Sequence, residues 1–310
     1  MRRAAPVVLV LALLAGGCVG GAASPEGPEL PPLASKVRDL RDKGQQALTR
    51  GDAARAALIF DDARRLAESL DDRSGLAGAL NDLGAAATLQ GDYPKAAEFH
   101  RRAYVIAVEI GDRALAVECL SYHGQAVHLM GDHAAALGYY SQALALARET
   151  KDRRSEAVVL NNLGLLQQAR GELDQAEPNF QQALAINKEL AERRATASNL
   201  SNLGALSEKR GRRVEARGRY EQALALDKET ENRPAIEADL MNLGRLSEED
   251  NRPDEALGYY ERAYRGYLAL NHVPKAMEAG KRLVRAAKAA GRDAEAASYQ
   301  TELNALAAQP

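Results

Sequence analysis

NNLGLLQQARGELDQAEPNFQQAL, residues 161–184, reads as one helix, a tight turn at Gly171 and a second helix. The same grammar returns every 40 residues. One Gly recurs at Gly44, Gly84, Gly124, Gly164, Gly204 and Gly244. A turn Gly recurs at Gly51, Gly91, Gly131, Gly171, Gly211 and Gly291, with Asn251 in the remaining place. Ala recurs at Ala56, Ala96, Ala136, Ala176, Ala216, Ala256 and Ala296, and at a second phase at Ala63, Ala103, Ala143, Ala183, Ala223 and Ala263. A fixed period of this size marks a solenoid, which grows by stacking rather than around one central core. The expected fold is all-α, an α-solenoid of antiparallel helix pairs.

Within each unit the first helix carries one apolar stripe. Leu40, Leu80, Leu120, Leu160, Leu200 and Leu240 share a phase, and Leu83, Leu163, Leu203, Leu243 and Leu283 share another three residues on. Gly inside a helix costs roughly 1 kcal/mol against Ala, so the recurrent Gly implies close approach by a neighbouring helix. In the second helix an aromatic follows the recurrent Ala by four residues, at Phe60, Tyr140, Phe180, Tyr220 and Tyr260. His100 and Gln300 depart from that series. Pro178 falls in the first turn of its helix, where a slight kink rather than a break is expected.

Asp72, Asp112, Asp152 and Asn232 suit N-caps at the starts of units, with Glu192 as a variant. Pro234 and Pro274 suit first turns. The units so delimited are 34–72, 73–112, 113–152, 153–192, 193–232 and 233–272. A degenerate capping unit follows at 273–310, where Gly280 and Val284 break the pattern.

The 310 residues carry a net charge of -2, which gives no electrostatic basis for nucleic-acid binding. Trp is absent, so the core is expected to consist of many small contacts. The N-terminus reads as a targeting segment, 1–17. Arg2 and Arg3 precede an apolar run from Val7 to Leu14, too short for a spanning helix of ~20 residues. Leu14-Ala15-Gly16-Gly17-Cys18 resembles the bacterial lipobox, although Ala15 stands where the best matches have Leu. The resemblance implies an acylated Cys18 as the mature N-terminus. Val19 and Gly20 follow without an acidic residue, which by the same analogy implies the outer membrane, facing the periplasm. Residues 18–33, rich in Pro and Gly, read as a tether. Cys119 is then the lone remaining Cys, expected as a small buried hydrophobe.

The Leu163-Gly164 pair, turn Gly171, Ala176, Phe180 and Ala183 resemble the tetratricopeptide repeat in its 40-residue variety, over residues 34 to about 300. The resemblance implies a right-handed superhelix of about six full repeats and a C-terminal cap, with first helices lining a concave groove. It also implies a protein or peptide partner rather than catalysis. In the 40-residue relatives an Asn two places before the helix Gly forms a ladder on the backbone of a bound peptide. Asn162, Asn202 and Asn242 match that place, whereas Asp42, Asp82 and Tyr122 depart from it. Asn161, Ser201 and Arg245 accompany them in the inferred groove. The other reading is a solvated polar helix face. Lys281, Arg282, Arg285 and Lys288 make the last groove helix basic, which suits either an acidic partner segment or a solvated cap.

No phosphate loop, nucleophile elbow or metal-binding helix motif occurs. His123 stands where other units have Leu, and a core role is expected for it. Neither a cofactor, a metal nor a catalytic residue is expected. The sequence thus points to a membrane-anchored, non-enzymatic interaction scaffold of the bacterial envelope. The alternative is a peptide or small-ligand sensor that uses the Asn residues.

Overall fold

A computed structural model describes residues 32–308. The expected signal peptide, Cys18 and most of the tether lie outside the described residues. Every regular element among them is an α-helix. The chain divides into two compact units, one through residue 183 and one from residue 184. The first holds α1 (Pro32–Thr49), α2 (Ala53–Ser69), α3 (Arg73–Leu89), α4 (Tyr93–Glu109), α5 (Arg113–Leu129), α6 (His133–Glu149), α7 (Arg153–Ala169) and most of α8 (Leu173–Glu189). The second holds the end of α8 and then α9 (Arg193–Lys209), α10 (Arg213–Glu229), α11 (Arg233–Glu249), α12 (Pro253–Ala269), α13 (Val273–Ala289) and α14 (Asp293–Ala307). Each unit is a stack of antiparallel helix pairs, the α-solenoid that the period implies. α8 runs through Pro178 without a break.

Three residues join each helix to the next. The middle one is left-handed. Gly171 takes φ +79° there without a Cβ penalty, and Asn251 takes φ 56°. Asp71, Lys151, Ala191, Glu231 and Asn271 also adopt this region. The Gly series did not announce them. A left-handed residue costs roughly 1–2 kcal/mol, which the helices packed on either side of the turn offset.

Ahead of α2 through α7 the last turn residue is Asp, and its carboxylate caps the next helix. Asp72 accepts from the Gly75 amide at 2.8 Å, Asp112 from Leu115 at 3.0 Å and Asp152 from Ser155 at 3.0 Å. Asn232 stands at the expected N-cap place but makes no side-chain cap bond. Its amide instead donates to Asp227 at 2.8 Å, a buried acceptor that competes for it.

The recurrent Gly meets the recurrent aromatic of its own pair. A Cβ on Gly164 would lie 2.6 Å from the Phe180 ring, and one on Gly244 would lie 2.6 Å from Tyr260. The ring edge therefore rests directly on the helix backbone. At Gly84 the imidazole of His100 takes the same seat. In the cap pair Gly280 receives Leu303 instead. α14 buries Ala296, Tyr299, Leu303 and Leu306 and leaves most of its remaining surface to solvent.

Cys119 is fully buried, and burial pushes its thiol up from the ordinary value. His123 is buried, with Nδ1 2.9 Å from the Ala97 carbonyl and its ring against Tyr139. Among the described residues, no helix is long and apolar enough to cross a membrane.

Candidate functional site

In the first unit the leading helices of successive pairs meet one another, α1 with α3, α3 with α5 and α5 with α7. Their shared face carries a polar node. The Arg41 guanidinium lies across Gly78, where a Cβ would collide with it. Arg41 Nε donates to Asp82 at 2.6 Å, and Gln45 Nε2 donates to the other Asp82 oxygen at 2.7 Å. Burial works against the Arg41 charge, but the Asp82 carboxylate outweighs it and raises the guanidinium pKa. Asn81, beside Asp82, donates to Glu118 at 3.0 Å, and its carbonyl meets His100 Nδ1 at 2.7 Å. With the Asn81 amide committed to Glu118, its oxygen accepts and His100 carries the proton on Nδ1. Glu118 keeps contact with solvent, yet the surrounding protein desolvates it and pushes it up to about 7, with Asp82 adding to the shift. Half-buried Tyr122 lies with its ring 5.3 Å from His100.

Asn162 is buried in the same unit and donates to Ser121 of the preceding leading helix at 3.2 Å. Asn161 beside it is half-buried. Ser121 and Asn162 therefore already share a bond from α5 to α7.

In the second unit Asn202 and Asn242 are both half-buried. Ser201 donates to Asp239 at 2.7 Å. Arg245 donates to Glu208 at 2.8 Å and lies 3.4 Å from the Asn242 carbonyl. Burial is the main cause that lowers the Arg245 pKa. Glu208 also accepts from Tyr220, and Glu248 accepts from Tyr260 at 2.8 Å. The aromatic hydroxyls thus reach past the Gly seat and orient carboxylates on the leading helices. Exposed Lys281, Arg285 and Lys288 line α13. Arg282 on the same helix reaches Glu248 at 3.5 Å.

Asn162 is thus bonded to a neighbouring helix, Arg245 is tied to Glu208 and the Asn242 carbonyl, and Asn202 and Asn242 are half-buried in one repeat phase. The sequence reading missed Arg41, Gln45, Asn81 and Glu118. Their signal is a separation of 37 or 41 residues, one period minus three or plus one. That is the distance at which adjacent leading helices touch. Among the described residues, no group of three His, Cys, Asp or Glu side chains is placed to hold a metal ion.

No curated protein matches the chain. Solved structures do. Aspartyl phosphate phosphatase F from Bacillus subtilis aligns at TM-score 0.65 and 14% identity, covering 88% of this chain and 70% of that one. A Rap protein complexed with competence and sporulation factor aligns at 0.63 and 17%, covering 85% and 78%. BtubC from P. vanneervenii aligns at 0.57 and 22%, covering 76% and 92%. At these identities the likeness is one of fold. A family model described as tetratricopeptide repeat matches residues 115–189 and 193–269, and a second of the same description matches 76–110. These spans exceed half of the sequence, and the chain belongs to the tetratricopeptide repeat family.

Proposed function

We propose that this chain is a non-enzymatic scaffold of the bacterial envelope. Lipid on Cys18 anchors it, at the periplasmic side of the outer membrane, and the leading-helix faces grip a partner protein or peptide. The observation that carries the reading is the row of partly exposed polar side chains in repeat register on α9 and α11, Asn202 and Asn242. An amide both donates and accepts, so it matches a peptide backbone of any sequence. A Rap protein of similar fold is solved in complex with competence and sporulation factor, which supports partner binding by this fold. The exposed cations of α13 favour an acidic segment in the partner.

Capture of partners from detergent-solubilised membranes tests the reading. Asn202→Ala/Asn242→Ala is expected to weaken the captured complex about tenfold, the value of one or two lost hydrogen bonds. Undiminished capture would remove the amides from the interface. The sensor alternative is favoured instead if a short peptide alone raises the melting temperature and the same pair of substitutions abolishes the rise.

The anchor is tested separately. Cys18→Ser is expected to move the protein from the membrane fraction to the soluble fraction. A variant that stays with the membrane and carries no lipid would sink the anchoring.

A further inference from the structure

Two seams of the second unit, α8–α9 and α10–α11, break the apolar rule that governs those of the first. Positions 67 and 79, which face across a seam in the first unit, are Ala67 and Ala79. One period on they are Ala107 and Cys119, and then Ala147 and Val159, all buried. At the start of the second unit they become Asn187 and Asn199, also buried, whose amides bond to each other at 2.6 Å. The next pair, between α10 and α11, is Asp227 and Asp239, each 2% exposed. Two carboxyls therefore stand where one amide gives a proton to the other.

The surroundings do not neutralise them. Asp239 accepts from Ser201 of α9 through one oxygen, and its second oxygen is buried without a partner. Tyr220 of α10 and Tyr267 of α12 also sense its charge. Asp227 accepts from Asn232 at 2.8 Å, and Arg194 of α9 is the cation that favours its charge. Glu237, two residues before Asp239, faces Gly266 of α12 and is influenced by Arg262 and Arg233. Two carboxylates in one low-dielectric seam cannot both ionise without large cost.

We propose that Asp227 and Asp239 form a proton-binding site in the α10–α11 seam, which holds one proton in the closed stack and loosens when that proton leaves to solvent. Burial pushes Asp239 up to about 8, with the Ser201 bond opposing and the Asp227 charge adding to the shift. Burial likewise pushes Asp227 up to about 6, against the Asn232 bond and Arg194. The folded values lie above the ordinary carboxylate value, so the folded chain binds more protons than the unfolded one between them. The contribution to stability is fully present below about pH 4, the ordinary carboxylate value, and is lost as pH rises from there through the folded values of about 6 and about 8. Ser201 belongs to the candidate partner face, so the proton reaches that face through one hydrogen bond.

Carbon-13 NMR of Asp carboxyls in the purified chain tests the site. One Asp midpoint is expected near neutral pH or above, and it is expected to vanish in Asp239→Asn. If every Asp titrates below pH 5, the proposal is overturned. Hydrogen exchange tests the loosening. After correction for intrinsic rates, amides of α11 are expected to lose protection about tenfold between pH 6 and pH 8.5. Asp227→Asn/Asp239→Asn restores the amide pair of the preceding seam and is expected to flatten that change. A variant that keeps the parent's pH response would also overturn the proposal, because Glu237 is present in both proteins.

Discussion

Gly164→Leu is expected to destabilise the first unit by about 1–3 kcal/mol, the usual cost of overpacking a filled core. The added Cβ alone would fall 2.6 Å from Cε1 of Phe180. Phe180 is fully buried, so its ring cannot swing into solvent. Relief requires α7 and α8 to part, which also opens the Ala176 and Ala183 contacts on the same helix. The melting transition of the first unit is expected to fall by several degrees, at about 2–4 °C per kcal/mol for a unit of this size. Gly164→Leu/Phe180→Ala supplies the control. Removing the ring makes room for the leucine, so the double variant is expected to lose less than the sum of the two singles. An unchanged melting temperature, or strict additivity, would refute the contact as the reason for the recurrent Gly.

The buried imidazoles of the first unit are expected to weaken it in acid, against Glu118 of the same unit and opposite in sign to the seam of the second. Burial, with a smaller push from His123, holds His100 neutral down to about 3, against an ordinary value of 6.5. Burial, with His133 adding, holds His128 neutral down to about 4. The unfolded chain therefore takes up protons first as pH falls below about 6.5. The stability that these imidazoles contribute is complete above that value and is lost on the way down to about 3 to 4. For His100 the loss is about 2 kcal/mol at pH 5. Urea titrations at pH 5 and pH 7.5, followed by exchange of α3 and α4 amides, measure it. His100→Phe, which places the aromatic of the other units on Gly84, is expected to reduce the pH slope. It also leaves the Asn81 carbonyl without its donor, so a general loss of stability is expected alongside. An unchanged pH slope in His100→Phe would contradict the account.

The helix grammar was legible because its residues answer backbone demands. Gly171 and Asn251 announce left-handed turns, and Asp72, Asp112 and Asp152 announce caps. The seat of Phe180 on Gly164 was half legible: the period showed both residues, but not that they meet. The polar nodes were not legible. Arg41, Gly78, Asp82 and Glu118 come together only once the facing phases of three helices are known, and no other repeat has that combination. Asn232 shows the same limit from the other side. Its type and place suit a cap, yet a buried carboxylate from the preceding helix, Asp227, claims its amide.

The ring-on-glycine seat lies wholly within one helix pair, and each pair is joined to the next by a linker of constant size. Loss or duplication of forty codons therefore splices one complete module onto another and leaves every remaining seat filled. A deletion one codon shorter would turn all downstream side chains by about 100° around their helix axes. The gene is thus free to change length in whole modules, and frame-preserving slips of any other size are expected to be purged as misfolded.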